Sequence, residues 1–111
     1  MLKKLLSYWV DSVERCGVIL GDETIIELKN ISENPKLDFV MREEDFKEYA
    51  GRIVATWHTH PITSANLSVE DYIMFRSKPD WYHYIVSEKE VWCYYIRNGK
   101  VILHEEENSL P

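Results

Sequence analysis

The stretch HTHPITSANLSVED, residues 58 to 71, holds the side chains best suited to chemistry. If the run RIVATWH leading into it is a strand, side chains alternate between faces, so His58 and His60 project from one side and Thr59 from the other. Two imidazoles so placed suit one zinc ion. Pro61 has no N–H to offer a sheet ladder and ends the strand. The segment ITSANL then turns the chain into a helix that starts at Ser68 and carries Asp71 in its first turn. Two neutral nitrogens and one carboxylate make three protein ligands, which leaves a fourth position for water, as in catalytic rather than structural zinc sites. Zinc lowers the pKa of its water to about 7 and polarises a carbonyl. Such a site needs a base as well, and Glu14, where a first helix hands over to the strand CGVIL, is placed to reach across to the metal.

Each piece also has a plainer meaning. SVED is a capping-box variant in which Ser68 accepts from the backbone of Asp71, and an HxH pair on a strand also occurs at surfaces. The two meanings are compatible, because a capped helix holds Asp71 rigid. Glu23 and Glu27, on or beside the second strand of a hairpin, are rival bases with surface exposure as their simpler account. Cys16 with His58 or His60 raises the alternative of a cysteine peptidase. Yet Cys16 opens an apolar strand, where a cysteine is an ordinary small hydrophobe, and that alternative leaves Asp71 and Ser68 without roles. Cys93 is expected to pack, and His83 and His104 to be structural strand residues. Trp57, Trp81 and Tyr82 are candidate walls for a substrate groove.

The elements that must position these groups follow from the apolar pattern. Leu2, Leu5, Leu6, Trp9, Val10 and Val13 fall on one helical stripe and predict a first helix. CGVIL and TIIEL, separated by GDE, predict a hairpin. NISENPKLD is a polar connection, and EEDFKEYA, residues 43 to 50, predicts a short helix ended by Gly51. The helix begun at Ser68 should fade near Lys78 and Pro79. WYHYIVS, EVWCYYI and KVILHEE read as three strands, the last two joined through Asn98 and Gly99. The run Glu105, Glu106, Glu107 is expected to be a solvated end. Together these predict one α/β (α+β) domain over residues 1 to 111, with a mixed, mostly antiparallel sheet flanked by helices. A substrate peptide is expected to add to an open sheet edge beside His58.

With 111 residues, 45% of them hydrophobic, the chain can bury a core without disulfides. Thirteen basic against nineteen acidic residues give a net charge of -6, which disfavours nucleic acid as a partner. Two distant cysteines read as reduced thiols, and no apolar run approaches a membrane span or a secretory leader, so the expected location is cytoplasmic.

His58, His60 and Pro61, then six residues, Ser68, two residues and Asp71 reproduce the HxHP(x6)SxxD pattern, and in these positions the chain resembles the JAMM (MPN+) metallopeptidases. Glu14 in ERCGVILG is similar to that family's upstream glutamate. The resemblance implies a JAMM/MPN (cytidine deaminase-like) fold in which His58, His60 and Asp71 bind one zinc (Zn2+) with a water. It further implies that Glu14 moves the water's proton, that Ser68 supports the oxyanion, and that a peptide or isopeptide bond is hydrolysed. The stretches NISENPKLDFVMREEDF, IVATWHTHP and WYHYIVS are similar to the JAMM domain of phage tail-assembly protein K. That likeness implies a tail-assembly protease in a host cytoplasm, a phage tail protein as substrate, and an NlpC/P60 partner domain on a separate chain. Removal of a ubiquitin-like or sulfur-carrier protein uses the same chemistry, and a non-catalytic MPN interaction module is the alternative outside enzymes. The chain departs from the pattern at Thr59, where Ser is common, and at Leu67, where Pro often precedes the serine. It also lacks the long insertions of eukaryotic relatives, which leaves the substrate open.

Overall fold

The computed structural model describes residues 2–61 and 67–104, so most of the expected ITSANL turn, the Glu105–Glu107 run and the NSLP end lie outside the described residues. Within them the order is α1 (Leu2–Leu6), β1 (Cys16–Leu20), β2 (Ile25–Leu28), α2 (Glu43–Lys47), β3 (Ile53–Thr59), α3 (Val69–Ser77), β4 (Tyr82–Val86), β5 (Val91–Arg97) and β6 (Lys100–Leu103). The strands form one six-stranded sheet in the order β2-β1-β3-β4-β5-β6. Only β3 and β4 run parallel, and α3 is the crossover between them. The architecture is α+β with a mixed, mostly antiparallel sheet, and no described helix is long and apolar enough to cross a membrane.

Both faces of the sheet are covered. Leu5 from α1 joins Ile19, Ala55, Trp57, Val86 and Val91 on one face. On the other, Phe75 of α3 packs with Ile85 and Tyr94, and Phe46 of α2 packs against Val18, Leu20 and Ile53. Six of the seven β3 residues are therefore buried, Val54 being the exception, and the in-out alternation expected for this strand separates two cores rather than core from solvent. The hairpins form as expected, with Asn98 (φ 53°) and Gly99 (φ 75°) supplying the left-handed turn that joins β5 to β6.

Three expectations need correction. The first helix ends at Leu6, although its apolar stripe continues to Val13. Ser7, Tyr8 and Trp9 turn back onto the carbonyls of Lys4, Leu5 and Leu6 in tight three-residue bonds, and Arg15 Nη1 takes the carbonyl of Tyr8 at 2.8 Å. Val10, Asp11 and Ser12 have little helix propensity to resist this. Glu14 is thus presented by an irregular segment, not a helix end. Trp57 is fully buried and walls no groove. Finally, β3 sits in the middle of the sheet: His58 is opposite Cys16 on one side and Ile85 on the other, so there is no edge beside it for a peptide to join.

His83, expected to be structural, is a buried link between β3, β4 and the end of α3. Its Nε2 donates to the Lys78 carbonyl at 2.9 Å, its Nδ1 accepts from the Thr56 hydroxyl at 2.7 Å, and its ring stacks on Phe75 at 4.4 Å. Burial lowers its pKa to about 4, with the Lys78 carbonyl opposing and His58 adding to the shift. The unfolded chain takes up a proton near pH 6.5 that the folded one refuses until about 4. Stability is then complete above the unfolded value and falls as pH drops through that window. By pH 5 the protein should lose roughly 2 kcal/mol more than a His83→Gln variant does. Denaturant unfolding at pH 7 and pH 5 measures this, and identical pH slopes for the two proteins would refute it.

Candidate metal centre

Register brings the distant residues together. Cys16 lies opposite His58 in the antiparallel β1–β3 pair. One step further, Thr59 donates its N–H to the Arg15 carbonyl at 2.9 Å, and Thr59 Oγ1 accepts from Arg15 N at 2.9 Å. Thr59 therefore ties the two segments together where they leave the sheet, and the next step sets Glu14 beside His60 on the face that carries His58. Trp9 Nε1 and Val86 complete the anchoring of His60, the indole donating to its carbonyl at 3.0 Å and the Val86 carbonyl accepting its N–H at 2.7 Å.

The crossover helix delivers the remaining groups. Ser68 is its N-cap: the hydroxyl accepts from Asp71 N at 3.1 Å, and the Asp71 carboxylate accepts from Ser68 N at 3.2 Å. This is a reciprocal capping box, so the cap itself fixes where the carboxylate points. Asp71 Oδ1 lies 2.9 Å from His58 Nε2, and Oδ2 lies 3.1 Å from His60 Nε2. The two Nε2 atoms are 3.1 Å apart. Donors around a tetrahedral zinc at about 2.05 Å stand roughly 3.3 Å from one another, so the spacing fits. Glu14 also converges, with a carboxylate oxygen and the two imidazole nitrogens all within 4.8 Å of one another.

These groups are almost completely buried: Glu14 is 7% exposed, His60 5%, Asp71 4% and His58 0%. Burial opposes the charge on Asp71, but electrostatic attraction and hydrogen bonding to the two imidazoles, His58 first, override it and hold the carboxyl far below the usual range. Burial keeps His58 neutral against the pull of Asp71. A neutral His58 beside an ionised Asp71 is what a divalent cation requires of these two groups. With protons instead, two N–H groups aimed at one carboxylate would face each other at 3.1 Å. His58 Nδ1 is buried and has no hydrogen-bond partner among the described residues. The ring is oriented by aromatic contact in place of the usual outer hydrogen bond, with Phe39 stacked at 4.3 Å and Phe75 at 6.0 Å.

Glu14 differs from Asp71. Burial, reinforced by Asp71, Asp38 and Glu70 and opposed by His60, raises its pKa to about 7. A narrow cleft of about 60 Å³, lined by Glu14, Asp38, Phe39, Ser68, Asp71 and Met74, opens here. It has room for a few waters or one reacting group, not for a folded ligand.

The rival groups fall away for identifiable reasons. Glu27 is held by the Arg15 guanidinium at 2.6 Å, and Glu23 sits in the β1–β2 turn. Cys16 points its thiol at the Leu28 carbonyl, and burial pushes it up to about 12, so it offers no thiolate at neutral pH. Sequence reasoning missed Phe39, Asn30 and Tyr94. Tyr94 bonds the backbone of Leu67 just before the Ser68 cap, a contact that no local motif signals.

No protein-family model and no curated protein matches the chain. Among solved structures it is similar to the solution structure of protein DSY2949 from Desulfitobacterium hafniense, a structural-genomics target. The TM-score is 0.68 at 22% identity, over 92% of this chain and 84% of that one. At that identity the likeness shows a shared fold and nothing about chemistry.

Proposed function

We propose that this protein is a zinc-dependent peptide or isopeptide hydrolase of the JAMM (MPN+) type, with the corresponding fold. The observation that carries the reading is the convergence of His58 Nε2, His60 Nε2 and the Asp71 carboxylate at about 3 Å separations, with a buried carboxyl, Glu14, alongside. His58, His60 and Asp71 would hold the ion. Bound there, zinc supplies Lewis acidity and makes a water acidic enough to act near neutral pH.

The chain's own groups do the rest. Glu14 accepts the water's proton as the water oxygen bonds the scissile carbonyl carbon, then delivers that proton to the amine as the C–N bond breaks. Ser68 accepts from Asp71 N, so its own O–H can donate to the carbonyl oxygen as negative charge builds there. The small cleft has room for the reacting group alone, and β3, paired on both sides, offers the substrate no edge. The substrate class is a protein or peptide; a phage tail protein and a ubiquitin-like conjugate are the two forms to try first.

The zinc-free protein should take up one equivalent of zinc. A His58→Ala or Asp71→Ala change should weaken it more than about 100-fold, since even outer partners of ligands are worth 10- to 100-fold. Calorimetric titration measures this, and cleavage of tail-protein or ubiquitin-like fusions before and after chelation tests the activity. Full cleavage in the presence of chelator would defeat the proposal, as would zinc uptake that ignores both substitutions.

A further inference from the structure

Both backbone groups of Glu14 are bonded to the segment that follows β2. Its N–H donates to the Pro35 carbonyl at 2.6 Å, and its carbonyl accepts from Asn30 Nδ2 at 2.8 Å. The same Nδ2 donates to the Asp38 carbonyl at 3.2 Å, while Asn30 Oδ1 accepts from Ser32 N and from Val40 N, each at 3.0 Å. Ile31 N donates to the Val40 carbonyl at 2.9 Å, and Leu37 N and Asp38 N both donate to the Asn34 carbonyl. Ser32 Oγ bonds the Asp38 carboxylate. Residues 30–40 thus form a compact loop whose ends meet at Asn30, and the loop lays Phe39 on the His58 ring.

We propose that Asn30 is a positioning residue: its single side-chain amide clamps Glu14 and the Phe39 wall into one unit beside the imidazoles. The functional meaning rests on the metal-site reading above. The chemistry suits asparagine, which brings two N–H donors to two carbonyls and an oxygen with two lone pairs to two N–H groups. Alanine provides none of these bonds. Aspartate keeps the acceptor but sets a negative charge against the carbonyls of Glu14 and Asp38.

Amide hydrogen exchange on the zinc-free protein tests the clamp directly. In Asn30→Ala the Glu14 and Val40 amides should exchange roughly tenfold faster, while the core amides of Val18 and Ile85 keep their native rates. Asn30→Asp is the second variant if the alanine protein folds poorly; it should expose Glu14 while sparing Val40. Native protection at Glu14 in both variants overturns the inference, and so does a uniform acceleration that includes Val18 and Ile85. A second measurement joins the clamp to the site. Zinc-loaded Asn30→Ala should release its metal to excess chelator roughly tenfold faster, and an Asn30→Ala, Phe39→Ala double variant should release it no faster than the quicker single one. Accelerations that multiply would show that the two residues act separately, against the proposal. If the native protein binds no zinc, the metal reading falls, and amide exchange still decides the clamp.

Discussion

Glu14→Gln is expected to hold zinc and lose hydrolysis by about 10²- to 10⁴-fold, the usual worth of a general base. Glutamine keeps the shape of glutamate and cannot take a proton. The same substitution should move stability in the opposite direction. With a native pKa of about 7 against the ordinary glutamate value of 4.5, Glu14 is ionised in the unfolded chain well before it is in the folded one. Its contribution is fully present below the unfolded value and is lost as pH rises through about 7. Above that, the zinc-free Glu14→Gln protein should exceed the native one by up to about 3 kcal/mol, with the gap closing near pH 4. Denaturant titrations of both zinc-free proteins at pH 5 and pH 8 measure the gap, and a gap that shrinks with rising pH would show that burial does not govern this carboxyl. A metal cation alongside would lower the Glu14 pKa, so activity should fall off on the acid side below pH 7.

Gly17→Ala should cost about 3 kcal/mol or more and lower the thermal midpoint by at least about 10 °C. Gly17 sits between Trp57 and Glu27 in the sheet, and the Trp57 indole crosses over it to donate to the Ile26 carbonyl on β2 at 3.3 Å. A Cβ at Gly17 would overlap that carbonyl oxygen and stand 2.7 Å from Trp57 Nε1. The first obstacle is backbone, so no rotamer change relieves it, and shifting the second dislodges the side chain next to His58. Zinc affinity should fall along with stability. An alanine variant that melts within a few degrees of the native protein would mean that β1 and β2 can separate freely at this point.

Much of the candidate site's geometry was legible because it is local in sequence. HTH on a strand and SxxD at a helix start each carry their geometry in their spacing, and the structure places both as the alternation and capping rules require. The strands were legible from β-branched and aromatic runs between turn residues. The first helix misled because a helical stripe of apolar residues persists where the chain only follows a buried surface; Trp9, Val10 and Val13 are half-buried without being helical. Long-range partners left no pattern at all. Asn30 sits in an ordinary polar connection, Phe39 is one apolar residue within it, and their importance depends on which loop folds over which strand. The covered flanks of β3 were equally hidden, because strand order belongs to topology and not to any one segment.

The Arg15–Thr59 pairing at the top of β1 and β3 decides which insertions the site would survive. Side chains on a strand are counted in twos, so the pairing acts as a reading frame for the cavity. One residue inserted between Glu14 and Cys16 would bring a different side chain beside His60 and turn Glu14 towards the opposite face. A residue inserted in the Gly21–Thr24 turn would leave that frame untouched. Lengthening the hairpin tip would therefore leave the geometry of the site intact, whereas lengthening the short step from Glu14 to Cys16 would take Glu14 out of it.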